Sequence, residues 1–136
     1  MPVDLLPVES SCEIKIGGVD VTLDLRPFTL GDLAFMQREF PTEQSRMEIA
    51  KLNADPLCKI VWHMLTPESK KHFSNIKFVD YDEEKEQPIE IEVKGYKKLF
   101  HSITKTDDLL KLFMAYSESE SLNNFVPDLI KKKVKN

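Results

Sequence analysis

The residues best suited to metal binding or nucleophilic chemistry are three histidines and two cysteines. His63, His72 and His101 fall on three different predicted helices, so no two share the i, i+4 spacing that places both rings on one metal ion. Cys58 and His63 are five residues apart, about 140° around a helix, so their side chains diverge. We interpret these residues as packing or surface residues, and the sequence predicts no metal site.

An acidic segment invites comparison with a calcium-binding loop. Its carboxylates are Asp80, Asp82, Glu83, Glu84, Glu86, Glu90 and Glu92. Asp80, Asp82 and Glu84 match the spacing of the first three ligands of an EF-hand loop. However, Lys85 stands where that loop needs glycine, and Ile91 stands where it needs a bidentate glutamate. The segment is therefore predicted to be a solvated hairpin tip.

Motifs for covalent catalysis or phosphate binding are also absent from the sequence. No serine lies in a glycine-flanked elbow, and the four glycines form no phosphate-cradling array. We expect a protein without enzymatic activity, without catalytic residues and without a bound cofactor.

Composition places the chain among ordinary folded proteins. Its 136 residues fit one domain, and 41% hydrophobic with 31% charged residues is typical of a globular protein. The net charge of -4 predicts no bulk attraction to nucleic acid or anionic lipid. The apolar run within residues 57–65 is too short to span a membrane, and no signal sequence opens the chain. These features predict a cytoplasmic protein with reduced thiols that binds neither nucleic acid nor membranes.

The predicted structural elements begin with a flexible arm over residues 1–11. Apolar and polar residues then alternate on both sides of Gly17 and Gly18, which predicts a β-hairpin over residues 12–25. Pro27 ends the second strand, and Thr29 with Asp32 has the capping-box pattern that starts a helix.

The remaining chain reads mainly as helix. Cap signals are placed at Thr42, Asp55, Thr66 and Thr106. A change to period two predicts a second hairpin over residues 76–93, with one wet face that carries Glu90 and Glu92. The predicted helices cover about residues 30–40, 43–52, 56–65, 67–73, 95–103 and 107–117. The fold class expected is α+β, mainly α: an N-terminal β-hairpin followed by a compact helical bundle with a second, inserted hairpin, all in one domain over residues 12–117.

Residues 118–136 are predicted to form a polar linker and a basic C-terminal tail. The last residues hold Lys131, Lys132, Lys133 and Lys135 against Asp128. Lysines without interleaved aromatic residues give only weak, salt-sensitive contacts with nucleic acid. A solubilising terminus is the favoured interpretation.

Several predicted helices carry more apolar surface than a small monomer hides, which indicates a partner or self-association. The partner-binding candidates lie on the first helix, on the last helix of the bundle and in the tail. They are Phe35, Met36, Phe113, Met114, Phe125, Leu129 and Ile130.

The N-terminal pattern IKIGGVDVTLDLRPFTLGDLAFMQREF resembles the start of the tail assembly chaperones of long-tailed bacteriophages. Chains of that family open with a hairpin that ends in leucine, a basic or polar residue, proline and a Thr-Leu-x-Asp helix start. The resemblance covers about residues 13–40, and ADPLCKIVWHMLTPES is similar to the family's central helix. The acidic hairpin departs from the family's helical body.

The resemblance implies a noncatalytic protein that binds the long, helical tape measure protein, with the tail tube protein as a second candidate partner. It would act in the cytoplasm of the infected bacterial host, keep the tape measure protein soluble and be absent from the mature virion. Two alternatives stay open: a structural component of the virion neck or tail, and a nonviral protein–protein adaptor. Purified virions separate the first two functions, and gene neighbourhood separates both from the third.

Overall fold

The N-terminal hairpin starts the fold in the computed structural model, which describes residues 8–124. Strands β1 (Ser10–Ile16) and β2 (Val19–Leu25) pair antiparallel around Gly17 and Gly18. Both glycines have positive φ angles, +59° and +82°, as the two-residue turn requires. The hairpin begins two residues earlier than predicted because Ser10 pairs with Leu25.

Alternation in the hairpin separates a core face from a wet face. Ile14, Ile16, Leu23 and Leu25 point inward and are buried, and polar residues of both strands occupy the other face. The core face packs on the helices that follow.

Seven helices and a second hairpin complete the described chain, which confirms the predicted α+β, mainly α fold. The helices are α1 (Leu30–Glu39), α2 (Glu43–Ala50), α3 (Ala54–Met64), α4 (Pro67–Lys70), α5 (Lys97–Ser102), α6 (Thr106–Ser117) and α7 (Glu120–Asn123), with a 3₁₀ turn at Lys71–Phe73 after α4. The second hairpin pairs β3 (Phe78–Asp82) with β4 (Gln87–Ile91). α7 lies in the region predicted to be a polar linker. None of the helices between residues 8 and 124 is long and apolar enough to cross a membrane.

The predicted helix caps are correct in part. The side chains of Thr42 and Thr66 each accept a hydrogen bond from the backbone N–H three residues later. The prediction for Asp55 is wrong: α3 begins at Ala54, and Asn53 takes the extended N-cap conformation. Asp55 instead lies in the first helical turn, where its carboxylate accepts a hydrogen bond from the Tyr96 hydroxyl at 2.9 Å.

The cap predicted at Thr106 is also wrong. Lys105 is the N-cap residue of α6 and Thr106 is the first residue of the helix. Asp107 and Asp108 still lie in the first turn, where their charges favour the positive end of the helix dipole.

Helix α3 lies at the centre of the core. Leu57, Cys58, Ile60 and Val61 are each no more than 2% exposed, and the helix packs against both α5 and α6. Its apolar residues span more than one face, so neighbouring elements surround it. The core therefore links the N-terminal hairpin, α3 and α6 in one body.

The second hairpin differs from its prediction in how it is covered. Phe78 and Ile91 at its base are partly buried, whereas Val79 and Tyr81 are 59% and 57% exposed. Val79 lies opposite Glu90, so the face predicted to be simply wet also carries exposed apolar side chains. Alternation predicted the strands correctly, but the body leaves most of both faces uncovered.

Candidate partner-binding surface

The outer side of α6 carries apolar residues that the core does not fully bury. Leu109, Leu112 and Tyr116 are buried on its inner side. Leu110 is only partly buried and Met114 is 50% exposed on the other side of the helix. A helix with apolar residues on both sides is typical of an element that packs on a core and also binds a partner.

Two grooves meet at Leu110. The first groove, of about 210 Å³, is lined mainly by Leu52, Leu57, Cys58, Phe100, Ile103, Leu109 and Leu110. The second groove, of about 580 Å³, lies between β1 and α6 and is lined by Ser11, Cys12, Asp107, Leu110, Lys111, Met114, Ala115 and Glu118. Leu110 lines both, so the two grooves form one surface, which we call the α6 surface.

Leu52 at the first groove has a strained backbone. Its φ angle is +61°, in the left-handed region that favours glycine. Leu52 follows the end of α2, and the N–H groups of Leu52 and Asn53 donate to the carbonyls of Ile49 and Glu48 at 2.9 and 3.1 Å, a Schellman cap. Its side chain remains 49% exposed on the same groove as Phe100, which is 41% exposed. The cap therefore fixes the backbone from which the Leu52 side chain lines the groove.

The structure separates the predicted partner-binding residues into different environments. Met114 lines the α6 surface, whereas Phe113 is partly buried and its ring lies 5.7 Å from that of Tyr116. Met36 packs against the core, and the ring of Phe35 stacks on His63 at 3.7 Å. The tail candidates Phe125, Leu129 and Ile130 lie outside the described residues.

A buried ionic cluster joins the N-terminal hairpin to α1 and α3. Arg26 Nη1 and Nη2 donate to Asp32 Oδ2 and Oδ1 at 2.7 and 2.6 Å, and Nη2 also donates to the His63 carbonyl at 3.0 Å. Asp32 is 3% exposed, and its Oδ2 accepts from the Thr29 N–H at 2.8 Å. This bidentate pair fixes the angle at which the strand leads into the helix.

The charges within the cluster follow from the competition between burial and hydrogen bonding. Burial disfavours the charged carboxylate of Asp32, but the bonds from Arg26 and Thr29 outweigh it and lower the pKa of Asp32 to about 2. Burial lowers the pKa of His63, against the raising effect of Asp32. His63 is therefore neutral at pH 7, and its Nε2–H donates to Asp32 Oδ1 at 2.7 Å. With Nε2 engaged and the ring stacked on Phe35, this histidine holds the joint together.

Sequence reasoning missed this cluster. The sequence pattern predicts Asp32 only as part of a capping box, and His63 only as a packing or surface residue. The signal that could have found it is the position of Arg26 directly before Pro27, with an opposite charge six residues later. Both charges flank a strand-to-helix joint, where the core is close enough to bury them.

The two thiols of the described chain are held in their protonated form by burial. Burial raises the pKa of the Cys58 thiol to about 12, and burial also raises the pKa of Cys12. Both thiols are protonated at pH 7 and are weak nucleophiles. Within residues 8–124, no group of three histidine, cysteine, aspartate or glutamate side chains could hold a metal ion. In the acidic loop, Asp82 Oδ1 accepts from the backbone N–H groups of Glu84 and Lys85, which stabilises the turn.

The α6 surface is thus the best candidate site, and apolar contact is the interaction that it offers. Its rim carries Asp107, Lys111 and Glu118, so a bound segment would meet an apolar centre and a polar edge. Comparisons with protein-family models, curated proteins and solved structures found no match to this chain.

Proposed function

We propose that this protein is a noncatalytic phage tail assembly chaperone that binds an amphipathic helical segment of the tape measure protein at the α6 surface. The observation that carries the proposal is the set of half-exposed apolar side chains, Leu52, Phe100 and Met114, around grooves that meet at Leu110. The resemblance of residues 13–40 to that family supplies the identity of the partner.

The physical basis of the interaction is burial of apolar surface. A half-exposed leucine, methionine or phenylalanine retains on the order of 80 Å² of accessible area, worth about 2 kcal/mol when a partner covers it. An amphipathic helix presents apolar residues at i, i+3, i+4 and i+7, which suits a pair of adjoining grooves. The same coverage hides the helix's apolar stripe from other tape measure chains and keeps it soluble.

In the infected cell, the protein would hold the tape measure protein until tail tube subunits polymerise around it. The bound segment would then leave the α6 surface, and the chaperone would not enter the finished particle. Because purified virions would contain a structural neck or tail protein in fixed copy number, mass spectrometry of virions tests this part of the proposal.

The direct test is coexpression with a candidate tape measure protein, measuring how much of that protein stays soluble and copurifies. Met114→Lys or Phe100→Lys is expected to lower the copurified fraction at least about tenfold, because burying a lysine charge in an apolar contact is unfavourable. Val19→Lys is the matched control, since Val19 is 63% exposed at the N-terminal hairpin turn.

Equal loss of binding in the control, or full binding by both groove variants, would exclude the α6 surface. The α1 candidates Phe35 and Met36 stay predictions, and Phe35→Ala and Met36→Ala, each checked for folding by circular dichroism, test them in the same assay. If the wild-type chain leaves every tape measure segment insoluble, the chaperone function itself is wrong.

A further inference from the structure

The second hairpin is the least supported element of the described chain. β3 and β4 form a separate two-stranded sheet and pack chiefly on each other. The base of the hairpin faces the body, where Phe78, Val79 and Ile91 border a cavity of about 450 Å³ beside Ile16 and Gly17. Two-stranded hairpins are marginal in water without further packing. The outer part of this hairpin therefore lacks the partner that such an element needs.

One face of the hairpin carries the exposed apolar residues. Val79 and Tyr81 are 59% and 57% exposed, and they lie opposite Glu90 and Pro88 across the two strands. Side chains paired in this way share one face of the sheet. We call this surface, Val79, Tyr81, Pro88 and Glu90, the hairpin face.

The charge of the adjacent loop indicates which kind of segment would bind the hairpin face. The loop next to it carries Glu83, Glu84 and Glu86, all exposed, against Lys85. The complementary segment has apolar residues beside a run of positive charge. The C-terminal residues Leu129 to Lys135, LIKKKVK, have that composition within this chain.

The distance between α7 and the second hairpin favours a tail that belongs to a second copy of the chain. Ser121 in α7 contacts Glu9 and Phe28 at the open end of the N-terminal hairpin, while the second hairpin lies beside the Gly17 turn at its other end. The seven-residue strands between these ends span about 20 Å. From Asn124 to Lys131 the chain reaches at most about 25 Å, so binding within one chain would need almost full extension. A tail from a second molecule meets no such limit.

We propose that the basic tail, residues 125–136, of one molecule binds the hairpin face of a second molecule, and that the reciprocal contact makes a dimer. The apolar residues of the tail cover Val79 and Tyr81 while its lysines lie along the acidic loop. This inference does not depend on the tape measure proposal, because the hairpin face and the α6 surface share no residues.

A charge-exchange experiment tests the contact by measuring molecular mass with light scattering after gel filtration. The hairpin-reversed chain carries Glu83→Lys, Glu84→Lys and Glu86→Lys, and the tail-reversed chain carries Lys131→Glu, Lys132→Glu and Lys133→Glu. Each alone places like charges across the contact, so its dimer dissociation constant is expected to rise about a hundredfold and it runs as a monomer. Mixed together, the two chains regain opposite charges at both contacts and form a heterodimer.

The mixture distinguishes binding between two molecules from binding within one chain. If each tail bound the hairpin of its own chain, both variants would still carry like charges across that contact, and mixing them would not restore it. A chain ending at Asn124 is expected to be monomeric. The control carries Lys51→Glu, Lys97→Glu and Lys105→Glu, three exposed lysines elsewhere, and is expected to dimerise like the wild type.

Four results would overturn the proposal: a full-length chain that stays monomeric at its highest soluble concentration, a dimer that survives truncation at Asn124, a mixture that stays monomeric, or a control that dissociates like the reversed chains. Circular dichroism of each variant checks that it is folded. Since every substituted side chain of the described residues is exposed, the fold is expected to be retained.

Discussion

Replacing Arg26 with methionine removes one partner of the buried ion pair and leaves the other in place. The side chains of Arg26 and Asp32 are only 12% and 4% exposed, so the charge left on Asp32 has little access to water. It would keep hydrogen bonds from Thr29 and His63 but lose both bonds from the guanidinium. Removing one member of a buried pair typically destabilises a protein by about 3–5 kcal/mol, and we expect Arg26→Met to fall in that range at pH 7.

The destabilisation caused by Arg26→Met should also depend on pH. The lowered pKa of Asp32 determines the direction of this dependence. The pKa of Asp32 lies at about 2 in the folded protein, below its ordinary value of 3.8. A depressed carboxyl pKa stabilises the fold above the unfolded value, and that contribution is lost as pH falls through the folded value. The shift corresponds to about 2 kcal/mol at pH 7, of which about 1 kcal/mol is lost by pH 3. The difference between wild type and variant should therefore shrink by about 1 kcal/mol between pH 7 and pH 3.

Urea unfolding followed by the fluorescence of Trp62, the single tryptophan, measures both effects. Lys71→Met is the matched control because the Lys71–Glu68 pair is exposed, and its loss should cost less than about 1 kcal/mol. Arg26→Met combined with Asp32→Asn should be more stable than Arg26→Met alone, since no charge is left buried. A cost for Arg26→Met below about 1 kcal/mol, or one that is the same at both pH values, would refute the reasoning.

Two further predictions concern backbone strain and thiol reactivity. Leu52→Gly should be about 1 kcal/mol more stable than Leu52→Ala in the same urea assay, because both variants lose the half-buried side chain and only glycine adopts the positive φ angle freely; equal stability of the two variants would contradict the assigned strain. Cys58 should react with iodoacetamide only after unfolding, while Cys12 should react slowly at pH 7 and faster as pH rises above 9, because burial raises the pKa of both thiols. Mass spectrometry of peptides separates the two sites, and rapid labelling of Cys58 in the folded protein would contradict its burial.

Local sequence patterns predicted the parts of the fold that local chemistry determines. Alternation around Gly17 and Gly18 was enough for the N-terminal hairpin, because a two-residue turn needs those φ angles. The start of α3 was misplaced because Asn53 and Asp55 are both suitable cap residues, and the backbone conformation that decides between them depends on how α2 ends. At Leu52 the pattern shows only an apolar residue, and its left-handed φ angle follows from the Schellman cap.

Local sequence patterns could not predict contacts between residues far apart in the chain. The segment from residue 118 has a broken pattern and was predicted to be a linker, yet α7 forms there and bonds to residues far away in sequence. The exposed second hairpin shows the same limit, because alternation gives the two faces of a strand but not what covers them. In the candidate site, Met114 was predicted from its helix, whereas Leu52 and Phe100 were missed since they meet only in the folded chain.

The bonds that fasten α7 close a very long loop, and this sets when they form during folding. Ser121 bonds through its backbone N–H to Glu9 at 2.9 Å, and its hydroxyl also bonds to the Glu9 carboxylate, across a separation of 112 residues. Closing such a loop early has a high entropic cost, so these contacts are expected to form after the hairpin and the central helices have condensed. The same bonds lie at the edge of the core and are expected to open first. Opening them would free α7 while the rest of the described domain stays folded.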